Sequence, residues 1–488
     1  MINKANKFIK ENKDKVNKEF LQKFHLMPPI GWMNDPNGFS RYKDEYHLFY
    51  QCYPYEEKWN SMHWGHAVTK DFIKWEDKPV ALAPDENYDD LGCFSGTAIE
   101  HKGELVLMYT GINKRLGKDF QEQAIARSSD GINFTKSKNN PVIPVDKLPE
   151  GILQGEFRDP KLWEKDGKFY TAVVAMDEKF GGRMPLFASE DLENWEYVND
   201  FIDPIPGFGT MWECPDIFDL DNNLLIMMSI ILLEKEGSFF TNKQSAVYAL
   251  GKQNNYNQTL GKEDFHEIDC GFDFYAPQTV LTDDGRRIMT AWMQAWEDEI
   301  ISSNLKQGWA GCMTLPREIT IENNRLIQNP VREIENYRKN LVHYNNVEIT
   351  AGELELTGIN GSAIEIEMDV DLAKANYFIV NMFKSKDNET VLSYDKQKET
   401  ITFDRRNSGH EIKQIDFKKE NYRTLPLELE DNILNIRIFI DTSSVEVFLQ
   451  KGEMTITSRI YPIDKDYGIS FKADGRAVIK NINKWSIG

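Results

Sequence analysis

The chain of 488 residues has few cysteines, a deficit of positive charge and no long apolar run. Its five cysteines are scattered, and no two form a CxxC pair, so the sequence predicts neither a disulfide framework nor a zinc ribbon. The net charge of -20 disfavours nucleic acid and anionic membrane surfaces, which both require a basic face. We therefore expect neither nucleic acid nor a membrane among the partners.

The N-terminal segment, MINKANKFIKENKDKVNKEF, lacks the apolar core of a signal peptide. No later stretch approaches the length of a membrane span. Unpaired thiols fit a reducing compartment. We expect a cytoplasmic protein in which residues 1–24 form a polar, helical N-terminal extension.

What the chain does contain is a repeated hairpin. Each copy has apolar residues, a polar tight turn and a strongly apolar strand. The copies lie at 39–51, 98–111, 162–174, 217–229 and 280–292. Their turns are centred near 44, 103, 166, 222 and 284, which are steps of 59, 63, 56 and 62 residues. Such a period is typical of a four-stranded propeller blade, so we predict an all-β, five-bladed β-propeller.

A second pattern runs alongside the hairpins. Asp71, Asp130 and Asp191 stand in similar segments, 59 and 61 residues apart. After about residue 330 the hairpin repeat gives way to short strand patterns at regular spacing. We expect residues 1–330 to hold the propeller, 331–340 a linker helix, and 341–488 a β-sandwich of short, alternating strands.

The segments that precede the five hairpins should form the inner strands, which line the central channel. Five polar side chains would then point towards one axis, namely Asp35, Ser95, Asp159, Glu213 and Gln278. Three of them are carboxylates. Buried acids around one point are costly unless they bind a ligand or share protons, so this constellation predicts a functional site.

Paired carboxylates suit glycoside hydrolysis, in which one attacks or activates water and the other protonates the leaving oxygen. Apolar neighbours should keep Glu213 protonated, as a general acid requires. Turn amides should hold Asp35 ionised, and Arg158 should keep Asp159 charged. Cys214 is either a small packing residue, which we favour, or a thiol that tunes the acid.

At this point the chain resembles glycoside hydrolase family 32, the invertase or β-fructofuranosidase family. The matching motifs cover nearly the whole length in family order: HLMPPIGWMNDPNG (25–38), FYQ (49–51), MHWGHAVTKDFIKWE (62–76), GCFSGTA (92–98), FRDPKLW (157–163), WECPD (212–216), YAPQT (275–279), GWAGCMTLPRE (308–318) and SSVEVF (443–448).

The resemblance implies a five-bladed propeller followed by a β-sandwich, and retention of configuration at the fructose anomeric carbon. It implies that Asp35 is the nucleophile, Glu213 the acid/base and Asp159 the transition-state stabiliser. The positions that match the surroundings of the fructosyl unit are Asn34, Gln51, Trp59, Phe94, Ser95 and Arg158. No cofactor or metal is implied.

Two tryptophans complete the predicted site. Trp32 should wall the pocket of Asp35, whereas Trp296 either lines the substrate mouth on the fifth blade or packs in the core. Sucrose, sucrose 6-phosphate and short fructo-oligosaccharides remain open as substrates. A non-catalytic sugar-binding propeller and an inverting glycosidase are the alternative functions, and the oligomeric state is left open.

Overall fold

The computed structural model describes residues 1–415, 417–463 and 467–488, and strands dominate them. The N-terminal residues form helix α1 (Ile2–Asn12) and a 3-10 helix, Lys13–Lys15. Ala5 is the one residue that α1 buries. No helix in these ranges is long and apolar enough to cross a membrane.

The first two blades are each built on four antiparallel strands. Blade 1 contains β1 (Gly31–Tyr42), β2 (Glu45–Tyr53), β3 (His63–Thr69) and β4 (Glu76–Asp77). Blade 2 contains β5 (Gly92–His101), β6 (Glu104–Arg115), β7 (Lys118–Ser128) and β8 (Thr135–Lys136).

Blades 3 and 4 repeat this arrangement, and 3-10 helices lie at Val145–Lys147 and Lys262–Asp264. Blade 3 contains β9 (Ile152–Lys165), β10 (Lys168–Asp177), β11 (Gly181–Ser189) and β12 (Glu196–Ile202). Blade 4 contains β13 (Met211–Leu220), β14 (Asn223–Ile231), β15 (Gln244–Gly251) and β16 (His266–Glu267).

Blade 5 is built from β17 (Tyr275–Leu281), β18 (Arg287–Trp292), β20 (Arg317–Glu322) and β21 (Arg325–Pro330). Between β18 and β20 lie the short helix α2 (Ile301–Asn304) and β19 (Trp309–Ala310). Strand β19 pairs in parallel with β1, and this contact ties the end of the ring to blade 1.

The predicted linker segment, 331–340, contains a 3-10 helix over Arg332–Tyr337, and β22 begins directly after it. The sandwich strands are β22 (Arg338–Leu354), β23 (Ile364–Lys384), β24 (Thr390–Asp395), β25 (Thr400–Asp404), β26 (Tyr422–Pro426), β27 (Ile433–Asp441), β28 (Ser444–Leu449), β29 (Met454–Arg459) and β30 (Gly468–Ile487). Two further 3-10 helices are Glu430–Asn432 and Gln450–Gly452.

Strand β23 pairs with β27 through its first half and with β24 through its second half. It therefore belongs to both layers of the sandwich, and alternate residues of the shorter strands, such as those of β25, fill the core between the layers. The prediction of an all-β, five-bladed propeller followed by a β-sandwich is confirmed.

The second sequence pattern is a repeated capping turn. Asp130 Oδ1 accepts hydrogen bonds from the backbone N–H groups of Ile132 and Asn133 and from the Ser128 hydroxyl. Equivalent bonds surround Asp71 and Asp191. The side chain closes the turn after the third strand in each of blades 1, 2 and 3, which explains its spacing.

Candidate active site

Each inner strand of the propeller is interrupted by a β-bulge at the same place. The hydrogen-bond register shifts between Met33 and Pro36, between Phe94 and Gly96, opposite Ala172–Val174 in blade 3, between Glu213 and Asp216, and between Tyr275 and Gln278. A bulge turns the side chains of its residues out of the regular alternation. The five bulges therefore point different residues into the same end of the channel.

The backbone at three of these bulges is left-handed. Asp159, Cys214 and Ala276 have φ angles of 59°, 47° and 52°, and proline follows each of them. Proline is tolerated here because a bulge leaves a backbone position without a ladder hydrogen bond. The bulge thus explains why Asp-Pro, Cys-Pro and Ala-Pro recur at inner strands.

Two buried carboxylates from different blades meet at one thiol. The Cys214 Sγ lies 3.5 Å from Oδ2 of Asp35 and 3.5 Å from Oδ2 of Asp159. Ser95 donates a hydrogen bond to Asp35 Oδ2 at 3.1 Å, and the backbone N–H of Cys214 donates to Asp159 Oδ2 at 3.0 Å. Burial raises the pKa of the Cys214 thiol well above its usual range, so the group remains an S–H donor between the acids.

Glu213 is held from two sides, and its side chain is 17% exposed. Arg158 donates to Oε1 from Nε at 3.1 Å and from Nη2 at 2.8 Å. The Tyr275 hydroxyl, from blade 5, donates to Oε2. Sequence reasoning missed Tyr275, although it stands directly before a bulge, as Glu213 does.

Burial decides the protonation of the two aspartates. It raises the pKa of Asp35 to about 6, with a further contribution from Glu213, against hydrogen bonds from Asn34, Ser95 and Cys214. It also raises the pKa of Asp159 to about 7, although Arg158 opposes the shift. The expectation that turn amides hold Asp35 ionised and that Arg158 keeps Asp159 charged considered only neighbours in sequence. Burial and charges from other blades raise both pKa values instead.

Aromatic side chains surround the acids. The Trp32 indole N–H donates to Asn34 Oδ1 at 2.6 Å. The ring centroids of Trp32 and Trp296 are 5.9 Å apart, and Trp292 lies 4.8 Å from Trp296. Trp296 is half-buried in this group, which forms a wall next to Asp35.

Of the remaining predicted residues, one lies at the exposed rim of the site and one is buried beneath it. Trp59, which is 48% exposed, meets Phe94 edge-on at 5.8 Å and forms an outer rim. Gln51 is buried in β2, opposite the blade 1 bulge, and donates to the carbonyl of Cys93 at 3.1 Å.

The prediction that Gln278 joins the carboxylates is not supported by its contacts. It lies beyond the bulge, where its amide accepts from the Phe39 N–H and donates to the Gly96 carbonyl. Gln278 therefore links inner strands of three blades within the channel. The position that corresponds to Asp159 and Cys214 in blade 5 is Ala276.

The arrangement combines chemistry for glycoside hydrolysis with an aromatic wall beside the acids. Asp35 accepts a hydrogen bond from a hydroxyl group, and Glu213 is bound by a guanidinium and a phenol. Asp159 is the third carboxylate and contacts the thiol that also contacts Asp35. An acid pair of this kind attacks an anomeric carbon and protonates the departing oxygen.

Family models match almost the entire chain. Residues 25–330 match the glycosyl hydrolases family 32 N-terminal domain, and residues 333–486 match the glycosyl hydrolases family 32 C terminal. A sucrose-6-phosphate hydrolase of Zymomonas mobilis is 37% identical over 98% of this chain and 94% of its own length.

Solved structures agree with this match. A Bombyx mori β-fructofuranosidase in complex with sucrose has a TM-score of 0.83 and 30% identity over 99% of this chain and 97% of its own. A sucrose-6-phosphate hydrolase from Lactobacillus gasseri has a TM-score of 0.88 and 26% identity over 99% and 96%. With both of its domains matched, the chain belongs to glycosyl hydrolase family 32.

Proposed function

We propose that the chain is a retaining β-fructofuranosidase that hydrolyses sucrose-type β-fructosides. The single observation that carries the proposal is the meeting of Asp35, Asp159 and Glu213 around Cys214 and Arg158. The family membership defines the reaction class, and the three acids supply the groups that the reaction requires. A purely sugar-binding propeller would have no need for three acids at this cost of burial.

In this proposal Asp35 attacks the anomeric carbon of fructose and forms an ester, and the bond to the leaving oxygen breaks. Glu213 gives its proton to that oxygen and then takes a proton from the water that cleaves the ester. Asp159 binds the fructosyl unit and stabilises the positive charge of the transition state. Asn34, Gln51, Phe94, Ser95 and Arg158 surround the same unit.

Arg158 and Tyr275 have a positioning role towards the acid/base. Both donate to Glu213, one to each carboxylate oxygen, so the side chain cannot rotate freely. A fixed carboxyl orientation aims one oxygen at the glycosidic bond, which general acid catalysis requires.

Sucrose 6-phosphate and sucrose are the two leading substrates. The Zymomonas mobilis and Lactobacillus gasseri relatives are named as sucrose-6-phosphate hydrolases, and the Bombyx mori structure contains sucrose. We propose the disaccharide as the substrate, with the phosphorylated form preferred, because the relative with 37% identity carries that name.

A hydrolysis panel tests the function. Purified protein is assayed with sucrose, sucrose 6-phosphate, kestose and inulin, and Asp35→Ala is the control. We expect the highest kcat/KM with sucrose 6-phosphate and no measurable turnover by Asp35→Ala. A variant without Asp35 that keeps full activity would remove the nucleophile from the proposal.

The stereochemistry is tested by methanolysis followed by NMR. Retention predicts that the first product is the methyl β-fructoside, formed by two successive displacements. A methyl α-fructoside as the first product would instead mean direct attack by the solvent and an inverting enzyme.

We also propose that the enzyme works in the cytoplasm. The support is chemical: all five cysteines are buried and unpaired within the described part of the chain, as suits a reducing compartment. Fractionation of the source cells with detection by antibody tests this, and recovery from the periplasm or medium would contradict it.

A further inference from the structure

The loop that follows β18 contains an aromatic residue of the active-site wall next to two buried acids. The Trp296 ring packs at a tilt against Trp32 and Trp292, whereas the next two residues, Glu297 and Asp298, are both 1% exposed. Acidic side chains are rarely buried so completely unless cations meet them. The cations that meet them come from the sandwich.

Three sandwich residues reach this loop. Lys419 Nζ lies 3.0 Å from Glu297 Oε1 and 3.2 Å from Asp298 Oδ1. Arg405 Nη2 lies 2.9 Å from Asp298 Oδ2, and Arg459 Nη2 lies 3.5 Å from it. The two arginines also contact Asp273, so three cations face three anions and the cluster is neutral.

The backbone makes a second connection at the same place. The N–H of Ile415 donates to the carbonyl of Glu297, and the N–H of Glu299 donates to the carbonyl of Lys413 at 2.8 Å. Asp298 and Gln414 form an antiparallel bridge between these bonds. A short segment of the sandwich therefore lies as a strand against the propeller loop.

Adhesion between the domains does not by itself account for this cluster. Replacing a buried ion pair with apolar residues of similar volume often leaves stability unchanged or improves it. Ion pairs differ from apolar contacts because their hydrogen bonds are directional. Each hydrogen-bonded pair therefore fixes the position of both partners. The same interface contains the pair Arg423–Glu267, which does not touch the loop.

We propose that Lys419 and Arg405 are positioning residues of the active site. They hold Glu297 and Asp298, and this contact keeps Trp296 against Trp32 at the mouth of the channel. The sandwich thereby shapes the surface that receives the substrate. This inference depends on the proposed hydrolysis in one respect, namely that the aromatic wall containing Trp296 contacts the sugar.

The test uses a charge-neutral double variant, Glu297→Gln with Lys419→Met. Its matched control is Glu267→Gln with Arg423→Met, which removes an equally buried pair between the same domains. For the loop variant we expect kcat/KM for the sugar to fall about tenfold, mainly through KM, since a displacement of about 1 Å can cost about a hundredfold. The kcat/KM of the control should stay within about twofold of the unaltered protein, at a similar change in thermal stability.

A third variant separates positioning from general damage. Trp296→Ala is combined with the loop variant, and the losses in kcat/KM are compared. If the ion pairs act through Trp296, the combined variant loses no more than Trp296→Ala alone. Losses that multiply, or equal losses in the loop variant and the control, overturn the proposal while hydrolysis by the unaltered protein stands.

Hydrogen exchange of the peptide that covers 293–300 gives a readout independent of activity. Faster exchange in the loop variant than in the control supports the positioning role, and equal exchange contradicts it. If the unaltered protein hydrolyses none of the sugars, the proposed function fails, and this exchange result still decides whether the sandwich orders the loop.

Discussion

At the scale of single residues, the site is a set of acids whose protonation is set by burial and by one another. Asp35 and Asp159 have pKa values of about 6 and about 7 because both are withdrawn from water. Their common neighbour, Cys214, was predicted mainly as a packing residue, and the structure adds contacts to both carboxylates. These contacts join three blades, so inspection of sequence neighbours could not reveal them.

The pH dependence of kcat/KM should report Asp35 and Asp159. The nucleophile and the carboxylate that stabilises positive charge must both be ionised, so activity should fall as the pH drops through about 7 and then about 6. Ser95→Ala removes a donor to the carboxylate and raises the pKa of Asp35 further. The lower ionisation of the acid limb, which belongs to Asp35, should move up by about half a unit to one unit, since a hydrogen bond contributes about 1 kcal/mol and one pKa unit is about 1.4 kcal/mol.

Ser40→Ala is the matched control for this titration. Ser40 lies on β1, the strand that contains Asp35, and is buried, but it makes no contact with the acids among the described residues. Its acid limb should coincide with that of the unaltered protein. An unchanged limb in Ser95→Ala would show that another group controls the acid side of the profile.

At the scale of elements, the hairpin period was predictable and the bulge was not. Turn residues and apolar strands are local signals, so five blades of about 60 residues could be counted from the sequence. A bulge adds one residue within an extended strand, and the prolines that follow three of the bulged residues do not by themselves reveal it. For this reason the sequence predicted Glu213 and Gln278 beside Asp159 on the inner strands, whereas the residues that share its left-handed backbone are Cys214 and Ala276.

The repeated capping turns should contribute to blade stability. Asp130→Ala removes an acceptor for two backbone N–H groups, and a capping side chain of this type contributes about 1 kcal/mol. We expect a lower denaturation midpoint with unchanged kcat/KM, measured by urea unfolding. Asp44→Ala, at an exposed hairpin turn with a side chain 97% exposed, is the control and should change stability by less than about 0.5 kcal/mol. Equal midpoints for the two variants would contradict the role of the turn.

At the scale of the whole molecule, a buried charge network joins the N-terminal segment, the propeller and the sandwich. His25 contacts Asp441 and Glu446, both at 2.8 Å, and Arg317 contacts Glu446 at 2.7 Å. Burial would lower the pKa of His25, but the two carboxylates raise it to about 9. The sequence placed His25 in a family motif but carried no sign of partners more than 400 residues away.

The stability of the fold should therefore depend on pH through His25. A histidine whose folded-state pKa exceeds its unfolded value stabilises the fold fully below about pH 6.5, and this contribution is lost as the pH rises through about 9. The shift corresponds to stabilisation on the order of 3 kcal/mol. The difference in Tm between the unaltered protein and His25→Gln should shrink between pH 6 and pH 10. A constant difference for His25→Gln across this pH range would contradict this account.

The central claim is that Asp35 forms a covalent ester with fructose. Glu213→Gln is mixed with β-fructosyl fluoride, whose leaving group needs no acid, and the quenched protein is digested for mass spectrometry. Because the variant has no base to activate water, the ester should accumulate. We predict one fructosyl residue on the peptide that contains Asp35. A fructosyl residue on the peptide that contains Asp159, or unlabelled protein after complete release of fluoride, would contradict the account.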